Sequence, residues 1–131
     1  MRVDFFSLAY LKTGTPKQQE VYQVVTSHRI LEQLDGFTPV VIGTFPLDIA
    51  IETSDIDIAC CCETVELFRE VVQAHFKAYE DFTDSIVSIR GQQAYVANFT
   101  LASFPIEIFA QSIPVRQQYG YRHMCIEYDI L

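Results

Sequence analysis

Two aspartates that flank one isoleucine constrain the fold of this 131-residue chain more than any other feature. Asp55 and Asp57 lie in the segment 54–58, Ser-Asp-Ile-Asp-Ile. The alternation of acid and isoleucine in this segment is typical of a β-strand with both carboxylates on one face. Two like charges that close repel one another, and a hard cation such as Mg²⁺ relieves the repulsion. We therefore predict a divalent-metal site here. The alternative is an exposed strand whose acids only solubilise one face.

The segments on either side of this strand predict helices with recognisable ends. Thr15 is expected to cap a helix that begins at Pro16 and closes at Asp35-Gly36, after a short helix over 5–11. Thr64 is expected to cap another helix, and residues 114–131 have apolar side chains near helical spacing. The predicted core face of the helix after Thr64 consists of Leu67, Phe68, Val71, Val72 and Phe76.

Apolar and β-branched runs predict the strands. Residues 39–42 are apolar throughout, which is typical of a strand in the centre of a sheet. Runs at 85–90, 94–101 and 104–109 have short connections, including 91–93, and we expect antiparallel hairpins. No repeat or linker divides the chain. We therefore expect an α/β (α+β) fold in a single domain over residues 1–131, with a mixed central sheet, antiparallel hairpins and helices packed on it.

Two further segments bear on the predicted metal site. Gly43-Thr44 follows an apolar strand, and glycine lets the backbone approach a ligand while Thr44 offers a hydroxyl and an amide to phosphate oxygens. Glu107 lies between isoleucines in another predicted strand and would complete a cluster of three carboxylates if the strands were neighbours. The alternatives are an ordinary turn at Gly43-Thr44 and a surface acid at Glu107.

Taken together, the order Gly-Thr, Asp-Ile-Asp-Ile, Ile-Glu-Ile resembles the DNA polymerase β-like nucleotidyltransferase superfamily. The likeness extends from Val40 to Phe109. A narrower likeness is to an uncharacterised family of small bacterial nucleotidyltransferase-like proteins, a domain of unknown function. That likeness rests on segments 43–49, 54–58, 107–111, 114–115 and 121–124, together with Gln118 and Glu127.

The resemblance implies a nucleotidyltransferase fold and a set of roles. Asp55 and Asp57 would hold Mg²⁺ or Mn²⁺ ions that bridge the nucleotide phosphates, and Glu107 would hold the catalytic ion and help to activate the acceptor hydroxyl. Gly43 and Thr44 would contact the terminal phosphates. Three acids on neighbouring strands suit an in-line displacement, in which metal ions stabilise the entering and leaving oxygens. The implied reaction moves a nucleoside monophosphate from a nucleoside triphosphate to an unknown hydroxyl acceptor.

Three residues near the end of the chain are interpreted as lying on the substrate side, namely Gln111, Arg122 and His123. His123 and Glu127 are four positions apart on the predicted last helix and can face one side. The alternative is a surface pair on that helix. His28 and His75 lie in amphipathic helices and are expected at boundary positions.

The loop after Gly43-Thr44 departs from the nucleotidyltransferase pattern. Small nucleotidyltransferases of the antitoxin type usually carry an arginine there, whereas this loop has Asp48, with Glu52 adding negative charge. No Lys or Arg lies between Arg29 and Arg69, so phosphate neutralisation would come from metal or from remote residues such as Arg90, Arg116 or Arg122. This favours a second hypothesis, a non-catalytic module of the same fold with a regulatory or interaction role. A phosphoesterase ranks third because its usual His-Asp metal motifs are missing.

Composition limits the partners. The net charge of −8 and the scattering of nine Lys and Arg residues argue against binding to extended nucleic acid. No apolar run approaches the length of a membrane span and no signal peptide is recognisable at Met1-Arg2, so we expect no membrane partner and a cytoplasmic protein. Cys60, Cys61, Cys62 and Cys125 match neither a zinc knuckle nor a disulfide framework.

The chain shows no helix stop signal after its last apolar residues. Two explanations are open. Either the natural chain continues beyond Leu131, or a partner or a second copy covers the C-terminal helix.

Overall fold

The computed structural model describes residues 3–51 and 53–131, in which five strands form one mixed sheet with helices on both faces. Met1, Arg2 and Glu52, the last of which was predicted to add charge to the loop, lie outside the described residues. The elements in chain order are α1 (Ala9–Lys12), α2 (Pro16–Ser27), α3 (Ile30–Gln33), β1 (Val40–Ile42), β2 (Ile56–Cys61), α4 (Val65–Phe76), β3 (Glu80–Ile89), β4 (Gln92–Leu101), β5 (Phe104–Gln111), a 3₁₀ turn (Val115–Gln117) and α5 (Tyr119–Ile130).

The strand order is β1-β2-β5-β4-β3, and the pairing of β2 with β5 is parallel while the other pairings are antiparallel. The predicted mixed sheet with antiparallel hairpins is therefore confirmed. Arg90-Gly91 and Ala102-Ser103 make the two hairpin turns, and all four residues have positive φ, as tight hairpin turns require. The first turn therefore begins one residue before the predicted connection 91–93 and overlaps it at Gly91.

The first long helix is shorter than predicted. Its start is confirmed, because the Thr15 hydroxyl accepts a hydrogen bond from the Gln18 amide and the Gln18 side chain accepts one from the Thr15 amide. The expectation of one continuous helix up to Asp35-Gly36 is wrong, because Arg29 adopts a φ of 53° and separates α2 from α3. The Gln33 side-chain amide donates to the His28 carbonyl, which the helix leaves unpaired at this break.

The position of β1 was also predicted wrongly, because this strand lies at the edge of the sheet and not in its centre. Val40 and Val41 point to opposite faces and are each only 1% exposed. Val41 packs into the larger hydrophobic core and Val40 into the smaller one. An apolar strand therefore indicates that both of its faces are buried. It does not indicate that a neighbouring strand pairs with each of its edges.

The larger core fills the face of the sheet covered by α2, α3 and α4, and the smaller core lies under α5 and the N-terminal segment. Leu67 does not face the core, since 58% of it is exposed. The buried residues of α4 are Val65, Phe68, Val72 and Phe76. Thr64 caps this helix as expected, and its hydroxyl accepts a hydrogen bond from the Leu67 amide.

The predicted final helix over 114–131 is divided into the 3₁₀ turn and α5. Gln118 has extended backbone angles at this break and is only 1% exposed. Its side-chain amide donates to the carbonyls of Cys60 (2.7 Å) and Ile113 (3.1 Å), which ties the start of α5 to β2. None of the helices within the described ranges combines the length and the apolar character needed to cross a membrane.

Candidate metal and nucleotide site

Three carboxylates meet on the face of the sheet that α5 covers. Asp57 of β2 and Glu107 of β5 are partners in the parallel register, so both side chains point to the same face of adjacent strands. Asp55 directly precedes β2. One carboxylate oxygen from each of Asp55, Asp57 and Glu107 lies within 4.8 Å of the other two. The structure thus brings together the three acids that the sequence singled out.

The environment of these acids disfavours their charged forms. Burial, with Glu107 and Asp55 as neighbouring charges, raises the pKa of Asp57 to about 7. Burial and the charge of Asp55 also raise the pKa of Glu107. A cluster of half-buried carboxylate oxygens is the donor set that Mg²⁺ and Mn²⁺ prefer. The residues present therefore fit a hard divalent cation, which would be held by Asp55, Asp57 and Glu107.

Gly43 lies against this cluster at the end of β1. Its φ of +90° is one that other residues rarely adopt, and a Cβ atom there would lie 2.6 Å from the Asp57 Oδ2. Only glycine therefore lets the backbone pass Asp57 at this distance. The carbonyl of the next residue, Thr44, accepts a hydrogen bond from the Ile49 amide at 3.1 Å and closes the loop.

The acidic residue of this loop has a partner of its own. The Asp48 carboxylate accepts a hydrogen bond of 2.9 Å from the Thr15 hydroxyl at the N-terminus of α2. A negative charge is favoured there because the free amides and the dipole of the helix attract it. The acidic residue of the loop is therefore tied to the start of α2.

A cavity of about 330 Å³ opens beside two of the three acids. Asp57 and Glu107 line it from the sheet, and Tyr119 and His123 line it from α5. Gln111 also lines it, because it follows Glu107 on the same face of β5. Of the three residues interpreted as substrate-side, Gln111 and His123 thus share the cavity of the acids, whereas Arg122 lines the two neighbouring cavities.

The predicted pairing of His123 with Glu127 is present, with 2.7 Å between His123 Nε2 and Glu127 Oε1. The His123 ring also stacks on the Tyr119 ring with the centroids 5.8 Å apart. His123 is therefore an exposed residue of α5 that borders the cavity, and its role on the substrate side stays a prediction.

Two residues near the acids were assigned no role from the sequence. Asn98 of β4 lies opposite Glu107 in the antiparallel register, so its side chain shares the face of the acids. Gln118, which was named only as part of the family likeness, lines the cavity and anchors α5. Their positions depend on the register between strands and on the contact of a loop glutamine with a distant carbonyl, which are properties of the folded structure.

Comparison with known proteins places the chain in a family. A family model matches residues 23–131, a range that contains the three acids and α5. The chain belongs to the family described as domain of unknown function DUF4269. That description names no activity. No curated protein matches the sequence.

Solved structures with the same fold are nucleotidyltransferases. Two are structures of Cid1, described as an RNA terminal uridylyl transferase and as a poly(U) polymerase, with TM-scores of 0.59 and 0.56 and identities of 12% and 14%. Each match covers 88% of this chain and 36% of Cid1. The third is the polymerase core of the RNA surveillance complex TRAMP, with a TM-score of 0.51 and 17% identity, over 93% of this chain and 39% of that one.

These matches confirm the nucleotidyltransferase fold. Because the sequence identities are low, the matches show similarity of fold and not of activity. The chain spans a little over a third of the length of these structures. The predicted likeness to the DNA polymerase β-like superfamily is therefore confirmed as a fold. The narrower likeness to small bacterial proteins stays a prediction.

Proposed function

We propose that this protein is a divalent-metal-dependent nucleotidyltransferase that moves a nucleoside monophosphate from a nucleoside triphosphate to a hydroxyl acceptor. The observation that carries the proposal is the meeting of Asp55, Asp57 and Glu107 within 4.8 Å, with Asp57 and Glu107 lining a cavity of about 330 Å³. The fold of the solved neighbours supports it. One of them, Cid1, is described as selective for UTP and was crystallised with magnesium and 3′-dATP.

Each acid has a role in this proposal. Asp55, Asp57 and Glu107 would hold the Mg²⁺ or Mn²⁺ ions. A bound divalent ion supplies Lewis-acid stabilisation of the phosphate oxygens. The acceptor oxygen attacks the α-phosphorus, the bond to the β-phosphate breaks, and pyrophosphate leaves. Glu107 lines the cavity and would accept the hydroxyl proton.

The residues around the acids hold the substrates. Gly43 and Thr44 present backbone at the end of β1 to the terminal phosphates, because glycine leaves that edge of Asp57 uncovered. Gln111 and His123 line the same cavity and are proposed to face the acceptor. Arg122 lies one cavity further along α5.

The test is calorimetric titration of each nucleoside triphosphate with Mg²⁺ and, separately, with Mn²⁺, followed by a pyrophosphate-release assay with the nucleotide that binds. We expect binding by the wild-type protein, and a loss of both binding and turnover in Asp57→Asn and Glu107→Gln. Asp35→Asn is the matched control, because it removes the same charge from an exposed residue at the end of α3. Absence of binding with all nucleotides and both metals would overturn the proposal.

One observation favours the second hypothesis, a non-catalytic module of the same fold. No Lys or Arg lies between Arg29 and Arg69, so the loop beside the acids lacks the cation that could neutralise a triphosphate directly. Such a module would bind Mn²⁺ without releasing pyrophosphate from any nucleotide. Turnover that is lost in Asp57→Asn would exclude this hypothesis.

A further inference from the structure

Two arginines from distant parts of the sequence meet beside the cavity of the acids. Arg90 occupies the turn between β3 and β4, and Arg122 lies on α5. Both line a cavity of about 280 Å³, which His123 and Ile126 also border, and both line a smaller one of about 140 Å³. The fold therefore places two guanidinium groups around the same open space, although 32 positions separate them in the sequence.

Tyr119 connects this space to the acids. Its side chain lines the cavity of the acids and both cavities of the arginines. The guanidinium carbon of Arg90 lies over the Tyr119 ring, 4.5 Å from its centroid. A guanidinium that stacks through its flat face keeps its N–H donors in the plane around its edge, where they can bind an oxyanion. The Tyr119 ring thus packs against the Arg90 guanidinium at the border of the cavity that Asp57 and Glu107 line.

Neither arginine forms an ion pair with a carboxylate of the described part of the chain, whereas Arg69 binds Asp84 at 3.1 Å and Arg29 approaches Glu32 at 4.0 Å. Arg90 and Arg122 line cavities that share Tyr119 with the cavity beside Asp57 and Glu107, whose negative charges would repel an anionic substrate. Their charges are therefore available to a ligand.

We propose that Arg90 and Arg122 form a binding site for a phosphate group of a substrate, beside the cavity of the three acids. Arginine binds phosphate through two parallel N–H donors, and two arginines facing one space can bind its oxygens from different sides. The place of this site in a reaction rests on the proposed function. The phosphate belongs either to the nucleotide or to the acceptor, and both sources share the same recognition chemistry.

The site is tested without metal, by calorimetric titration of inorganic tripolyphosphate into the protein in the presence of a chelator. We expect wild-type protein to bind, and Arg90→Gln and Arg122→Gln each to weaken the binding at least about ten-fold, since each loses charge-assisted hydrogen bonds. Arg116→Gln is the matched control. Arg116 was also named from the sequence as a source of charge, but it lines none of these cavities: its guanidinium carbon lies 4.1 Å from the centroid of Phe6, and its Nη1 donates to the Tyr121 hydroxyl. The Arg116→Gln protein should therefore bind tripolyphosphate as the wild type does.

Failure of this inference and failure of the proposed function are distinguishable, because a defective metal site leaves a metal-free titration unchanged. The inference is overturned if wild-type protein does not bind tripolyphosphate, or if the Arg90 and Arg122 variants bind as tightly as the Arg116 variant. Titration of Mn²⁺ with the nucleotide then identifies the source. Weaker nucleotide binding in Arg122→Gln assigns the site to the nucleotide. Unchanged nucleotide binding, with tripolyphosphate still binding to the nucleotide-loaded wild type, assigns it to the acceptor.

Discussion

Replacing Asp57 with asparagine should stabilise the metal-free protein at pH 8 and leave its stability at acidic pH nearly unchanged. The pKa of Asp57 is raised to about 7 from the ordinary 3.8, so the folded protein binds a proton there that the unfolded chain has lost. Where the folded state binds more protons, the free energy of unfolding falls as pH rises. The wild-type protein therefore loses free energy of unfolding between about pH 4 and pH 7, and this loss is complete above that range.

The size of the effect follows from the same pKa difference. One pKa unit corresponds to about 1.4 kcal/mol, so the ionised form of Asp57 lowers the free energy of unfolding by up to about 4 kcal/mol at pH 8. Asparagine carries no charge at either pH and avoids this loss. The neighbours Glu107 and Asp55 share the gain, because the variant removes one of three repelling charges.

The assay is urea denaturation followed by far-ultraviolet circular dichroism at pH 5 and pH 8 in a chelator, with Asp35→Asn as the control for an exposed aspartate. Adding Mg²⁺ at about 100 times its dissociation constant should restore about 2.7 kcal/mol to the wild type at pH 8 and nothing to Asp57→Asn. If the wild type and Asp57→Asn lose stability in parallel between the two pH values, the account of this site is wrong.

Three further variants test other parts of the structure. Gly43→Ala should lower the free energy of unfolding by about 1–3 kcal/mol and weaken Mn²⁺ binding, because φ is +90° and the new Cβ would lie 2.6 Å from the Asp57 Oδ2. Urea denaturation and Mn²⁺ titration measure the two effects. No change in either would contradict the close approach of Gly43 to Asp57. Glu107→Gln should reduce pyrophosphate release by at least about 100-fold in a protein with an unchanged dichroism spectrum, and an active variant would remove Glu107 from the reaction. Tyr95→Phe should cost about 1.5 kcal/mol at pH 7, because the Tyr95 hydroxyl donates to Asp84 at 2.8 Å. Burial alone would raise the pKa of Asp84, but hydrogen bonds from Tyr95, Gln73 and Arg69 outweigh it and lower that pKa. The difference in the free energy of unfolding between the wild type and Tyr95→Phe should therefore persist at neutral pH and shrink as Asp84 becomes protonated in acid. A difference that grows in acid would contradict this.

Local signals in the sequence were sufficient where the structure depends on neighbouring residues. The caps at Thr15 and Thr64 are readable because the capping side chain and the amide it binds are three residues apart. The break at Arg29 is not readable, since a positive φ at an arginine has no counterpart in composition or spacing. The same holds for Leu67, whose helical spacing fits a core face that α4 does not bury at that position.

The candidate site depends on pairings between distant strands. The order of the acids indicated that Asp57 and Glu107 act together, and the parallel register of β2 and β5 explains how they meet. Asn98 shares their face through the register of β4 and β5, which no local pattern specifies. The arginines were only named as remote sources of charge, because the place of Arg90 depends on where the β3–β4 turn meets α5.

The parallel pairing of β2 with β5 has a consequence for the order of folding. The two strands are joined through α4, β3 and β4, so the chain must close a loop of about 50 residues before Asp57 and Glu107 become neighbours, and contacts of such long range form slowly. The hairpins β3–β4 and β4–β5 close over two-residue turns and can form first. We therefore expect the metal site to be among the last parts of the protein to assemble. A bound ion would then slow the unfolding of the protein more than it speeds its folding, because it recognises only the completed sheet.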